Sequence, residues 1–78
     1  MTENSWETDN VWQWLENDEI YYKIFQLFLC DPNDKKVARL LKDFIAEQLL
    51  YFGKFGDLTS TKQLEKVDWM QIVQANRD

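Results

Sequence analysis

Seventy-eight residues make one small domain, and a net charge of −5 with a pI near 4.6 speaks against direct binding of nucleic acid. One cysteine and no histidine exclude an internal disulfide, a Cys/His zinc site and any Ser–His or Cys–His catalytic pair. So short a chain buries only roughly 60% of the surface its unfolded state exposes, yet 45% apolar and 15% aromatic residues supply a dense core, an interface, or both.

The charge is uneven. Residues 1–19 carry Glu3, Glu7, Asp9, Glu16, Asp18 and Glu19 and no base. Residues 35–56 carry Lys35, Lys36, Arg39, Lys42 and Lys54 against Asp43 and Glu47. An acidic head and a basic middle attract each other or face different partners. Residues 1–7 read as a loosely ordered acidic segment of the single domain 1–78. The opening "MTENSWETDN" has no cationic then apolar leader. Lys23, Gln26 and Gln48 interrupt the longest apolar stretches, so no membrane insertion is expected. A lone thiol suits a reducing compartment, which points to the cytoplasm.

The first element is a short helix over 9–16, capped by Thr8 or Asp9. Val11 and Leu15 lie at the middle of its apolar arc, with Trp14 at one edge and Trp12 at the other. Val11, Trp14 and Leu15 are expected to anchor the segment, which leaves Trp12 as the more exposed ring. Asn17–Asp18 breaks this helix and caps the next. Residues 18–30, "DEIYYKIFQLFLC", fail the two-residue alternation of a strand and fit spacings of three and four. Apolar side chains cover well over half of this helix, so it is expected to be the central helix or part of an oligomer interface. Tyr22, Phe25 and Leu29 are placed at that interface, opposite Ile20, Ile24 and Leu27.

"CDPND" offers Asp31 as an N-cap and Pro32 at the first helical position. From there Val37, Leu40, Leu41, Phe44, Ile45, Leu49 and Phe52 form one stripe, so a helix is predicted over 32–52. Gly53 stops it. Gln48 points into that stripe, and an unpaired amide there would cost about 1–3 kcal/mol. It is expected to bond a backbone group, a tyrosine hydroxyl or a water, unless the stripe opens into a wet groove. Ser60 with Gln63 makes a capping box for a turn at 61–66. Asp68 with Gln71, and Val67 with Ile72 as a hydrophobic staple, start a last helix at 69–76 with Trp69, Ile72 and Val73 inward. The fold class is an all-α bundle of two main helices and two or three short ones.

A search for chemistry yields little. The phosphate loop G-x-x-x-x-G-K-[ST] is missing, and "GKFG" reads as a helix stop and turn. "DPND" and "END" lack the alternating oxygen ligands and central glycine of a calcium loop. Close carboxylate pairs arise by chance among 14 acidic residues, so no enzyme, metal or cofactor is inferred. The ridge Lys35, Arg39 and Lys42 is either the solvated face of its helix or an electrostatic contact. The aromatics carry the functional expectation, because Trp and Tyr are enriched at binding hot spots. The chain reads as a non-catalytic protein–protein interaction module that binds another protein or itself, as a two-fold dimer. Trp12, Tyr22, Phe25 and Leu29 are its candidate contacts. The alternative is an acidic inhibitor that occupies a nucleic-acid-binding surface on another protein.

Overall fold

A computed structural model describes residues 5–77. The elements in order are α1 (Trp6–Asn17), α2 (Glu19–Phe28), α3 (Asp34–Phe52), a 3-10 turn (Thr61–Lys66) and α4 (Trp69–Ala75). The all-α class is as read from the periodicity.

Helix α1 begins three residues before the expected start. Ser5 caps it, its Oγ accepting the Thr8 N–H at 3.2 Å and donating to the Lys66 carbonyl at 2.8 Å. Ser5 to Glu7 therefore belong to an ordered helix start and not to a loose head; residues 1–4 of that expectation lie outside the described residues. Thr8 is no cap. It is buried, and its Oγ1 accepts the Asp68 N–H at 2.9 Å. Asp18 serves both neighbouring helices. Its N–H donates to the Trp14 carbonyl, and its Oδ1 accepts the N–H groups of Ile20 and Tyr21 at 2.9 and 3.1 Å.

The start of α3 also differs. Asn33 is the cap, accepting the Lys36 N–H at 3.2 Å. Asp31 is drawn off into the preceding turn, where its carboxylate accepts the Asn33 N–H at 2.9 Å and pairs with Lys36 at 3.0 Å. The Arg77 guanidinium closes this joint: it bonds the carbonyls of Leu29 and Asp31 and pairs with Asp34 at 2.8 Å. At the other end Gly53 stops α3 as predicted, with a left-handed φ of 76° and its N–H on the Leu49 carbonyl at 2.8 Å. Both the Ser60–Gln63 capping box and the Asp68 cap on Gln71 form.

One core joins these elements. Val11 and Leu15 of α1, Phe25 of α2, Val37, Leu41, Ile45 and Leu49 of α3, Leu64 of the turn, and Ile72 and Val73 of α4 are buried together. Phe55 and Leu58 join them from a tight turn in which each N–H bonds the other's carbonyl, at 2.9 and 3.0 Å. The central element is α3, which packs against α2, the 3-10 turn and α4. Its 19 residues rise about 28 Å at ~1.5 Å each, nearly the full 31 Å of the long axis. Helix α2 is not central, since Phe25 is its one fully buried side chain. Gln48 is partly buried and accepts the Tyr21 hydroxyl at 3.2 Å, one of the partners foreseen for it.

Asn10 ties α1 to the 55–58 turn. Its buried side chain donates to the Phe55 carbonyl at 3.2 Å and accepts the Asp57 N–H at 3.1 Å. Asn10→Ala strands both groups, so it should cost about 1–3 kcal/mol. In a domain of this size the melting temperature falls by roughly 4–8 °C per kcal/mol, which calorimetry reads directly. A second expectation concerns acid. The Asn33 N–H, and after it Lys36, hold the Asp31 carboxyl below its ordinary value of 3.8. The stability from these bonds is therefore present above that ordinary value and lost as pH falls through the lowered one. An NMR titration of Asp31 should show the low midpoint. Lys36→Met should raise it only part of the way, because the larger cause, the backbone bond, remains.

Candidate interaction surface

The four apolar residues expected to meet a partner do not share one surface. Tyr22 is exposed, Trp12 and Leu29 are partly buried against the core, and Phe25 is only 2% exposed. Phe25 is thus a core residue. The sides of α2 differ in part from the expectation: Ile20 and Leu27 face outward and Phe25, with Tyr21 and Phe28, faces the rest of the domain, while Tyr22 is exposed and Ile24 partly buried. The reason is aromatic packing. Tyr21 and Phe28 both meet the Phe44 ring edge-on, at centroid distances of 5.7 and 6.0 Å, and Tyr21 also meets Phe55 at 5.2 Å. Those contacts fix the rotation of the helix about its axis.

The two tryptophans of "VWQWL" are exchanged. Trp12 packs against the core, and its indole N–H donates to Glu16 one turn on. Trp14 is the more exposed ring, at 44%. It lies over Gly56, where an added Cβ would stand 2.3 Å from the indole nitrogen. Gly56 has a φ of 60°, so both its conformation and its lack of a side chain are needed there.

Two surface features follow. The first is apolar. Leu50, Tyr51 and Phe52, the last turn of α3, are 78%, 81% and 69% exposed. Phe52 also lines an open notch of about 390 Å³ with Trp14, Tyr21 and Phe55, rimmed by Asp18, Asp57 and Lys54. Phe52 was expected inside the α3 stripe; it lies beyond Leu49, the last buried residue of that helix. The second feature is basic. Lys35, Arg39 and Lys42 lie on one flank of α3 and line a groove of about 400 Å³ with Ala38, Val67, Trp69 and Met70. Among the described residues none of the three basic side chains is in an ion pair, and the nearby acids Asp31 and Asp34 pair with Lys36 and Arg77. Asp68 lines the same groove, and its carboxylate is engaged as the α4 cap.

Among the described residues no cluster of three His, Cys, Asp or Glu side chains is placed to hold a metal ion, and no helix is long and apolar enough to cross a membrane. Cys30 is exposed, with its thiol 3.7 Å from the Gln26 carbonyl. The two features are thus an aromatic notch with acidic residues at one end of the molecule and a basic ridge beside Ala38, Val67, Trp69 and Met70 on another flank. No family model matches the chain, and no curated protein or solved structure matches it either.

The Trp14–Gly56 contact can be weighed by a double-mutant cycle. Gly53→Ala meets open space and should cost only the left-handed penalty of about 1–2 kcal/mol. Gly56→Ala should cost more, because it also drives into the Trp14 ring. In a Trp14→Ala background that excess should shrink, giving a coupling of about 0.5 kcal/mol or more in urea unfolding. Additive losses would mean that the ring does not bear on Gly56.

Proposed function

We propose that this chain is a small non-catalytic interaction module that docks on another protein through the apolar end of α3 and the adjoining Trp14. The observation that carries the reading is the exposure of Leu50, Tyr51 and Phe52 in succession. Singly exposed apolar residues need no explanation, whereas several exposed together at one end of the molecule favour an interaction surface. At about 100° per residue three neighbours span most of a helix circumference, so the patch wraps the helix end. It continues onto α1, because Phe52 and Trp14 line the same notch.

The basic groove supports a second, electrostatic contact. Lys35, Arg39 and Lys42 would meet an acidic stretch of the partner, with Trp69 and Met70 offering apolar contact beside it. Such a contact sets approach rate and register more than affinity. A partner that is a second copy is compatible with the same α3 end. The dimer face drawn through Tyr22, Phe25 and Leu29 is not carried forward, since Phe25 is in the core. The single exposed thiol of Cys30 favours the reducing cytoplasm as its place of action.

Leu50→Ser/Tyr51→Ser/Phe52→Ser removes the patch without touching the core, so the melting temperature should barely change. Affinity capture with quantitative mass spectrometry should lose the wild type's specific partner with this variant. Light scattering on both proteins shows whether that partner is a second copy. If the captured protein stays with the variant but is lost on neutralising Asp9, Glu16 and Glu19, the acidic-inhibitor reading replaces this one.

A further inference from the structure

We propose that the notch between Trp14 and Phe52 receives an arginine side chain from a basic segment of the partner. The inference rests on the reading of the α3 end as a partner surface and names the chemistry that surface selects.

The cavity brings aromatic and acidic residues together. Trp14 and Phe52 are both exposed, Tyr21 is partly so, and all three line it. Aromatic faces carry negative quadrupole charge and attract a cation placed over them, Trp most strongly. Asp18 and Asp57 stand at the same cavity. Asp18 spends Oδ1 on both α2 cap bonds, and its Oδ2 takes part in no hydrogen bond among the described residues. Asp57 uses its backbone N–H on Asn10, and its carboxylate has neither hydrogen bond nor ion pair there. Lys54 also lines the notch but lies within ion-pair distance of neither acid. Two carboxylates outside any ion pair among the described residues, beside one lysine, leave the notch negative. That field draws in a basic partner.

Charge and shape together favour arginine over the alternatives. An apolar side chain would strip water from Asp18 and Asp57 and give them nothing in return. A phosphate or acidic side chain would be repelled. A lysine ammonium satisfies one carboxylate as a point charge. A guanidinium is planar, stacks on an aromatic ring and offers a fork of N–H donors to carboxylates at its edge. The receiving groups are also held in advance. Asn10 fixes the Phe55–Asp57 backbone, Gly56 seats Trp14, and the Tyr21 hydroxyl is tied to Gln48. The 55–57 backbone, Trp14 and Tyr21 therefore need little further ordering when the side chain arrives, which favours binding.

The test uses the full chain, labelled with ¹⁵N, and a blocked peptide Ac-Gly-Ser-Arg-Ser-Gly-amide. The Trp14 indole N–H and the Gly56 and Asp57 amides should shift and saturate. A peptide with norleucine for arginine should bind about tenfold more weakly. Asp57→Asn, at an exposed position, should weaken the arginine peptide and leave the norleucine peptide unchanged, and added salt should do the same. Shifts that appear on concentrating the protein without peptide would put a second copy in the notch and overturn the proposal. Equal binding of both peptides would also overturn it, while leaving the apolar docking surface standing. No shift at Trp14 with either peptide refutes the arginine site. Loss of the captured partner on removing Leu50, Tyr51 and Phe52 is a separate readout, so the two ideas fail separately.

Discussion

The fold depends on two buried polar side chains of α1. Thr8 holds the Asp68 N–H, and Asn10 holds both the Phe55 carbonyl and the Asp57 N–H. Three backbone groups from the second half of the chain thus find their partners on one turn of the first. A buried backbone group without a partner costs as much as a lost hydrogen bond, so the loop from 55 to 68 has little freedom to sit elsewhere. The bonds also set geometry. They seat Phe55 and Leu58 in the core, bring Gly56 beneath Trp14, and place Val67 and the α4 cap beside α3. Apolar burial supplies most of the driving force, but it is non-directional. The direction comes from Thr8 and Asn10.

This division explains what the sequence made legible. Helix α3 could be read because its caps and its stripe are local. Gly53 and the Ser60–Gln63 box work over three or four residues, and so does the Asp68 cap. Gln48 was legible for a related reason: an amide on an apolar stripe must find a partner, and a tyrosine hydroxyl met it. The start of α3 was legible only to within two residues. Asp31 and Asn33 are both good caps, and the choice between them is made by Lys36 and by Arg77, which arrives from the far end of the chain.

The rotation of α2 and the fates of Trp12 and Trp14 were not legible, and the reason is physical. An apolar arc wider than half a helix does not say which part faces inward. In α2 that choice was made by the Phe44 ring, 16 to 23 positions away, through edge-on contacts to Phe28 and Tyr21. In α1 it was made by Asn10, whose bonds to the 55–58 turn link residues 45 and 47 positions apart. Once Asn10 faces the 55–58 turn, Trp14, four residues on, lies beside it over Gly56. Trp12 then falls toward the other side, where Glu16 can reach its indole. The one local sign of this arrangement is "FGD" at 55–57, a glycine between an aromatic and an acid. It marks a turn but does not say what lies over it.

The same reasoning shows why the apolar end of α3 is uncovered. The groove residues place α4 alongside Lys35 to Lys42, and the ring contacts place α2 alongside Phe44 and Gln48. Beyond Leu49 neither helix has residues left to pack there. The chain then leaves through Gly53 and returns to the core only at Phe55, so residues 50 to 54 all face outward. Folding alone would be better served by polar side chains at Leu50, Tyr51 and Phe52, since an exposed apolar side chain contributes nothing to the core and adds a route to aggregation. Gly53 would stop the helix equally well after serine or lysine. Among the described residues nothing packs on these three large apolar side chains, which is why the proposed docking surface is placed at this end.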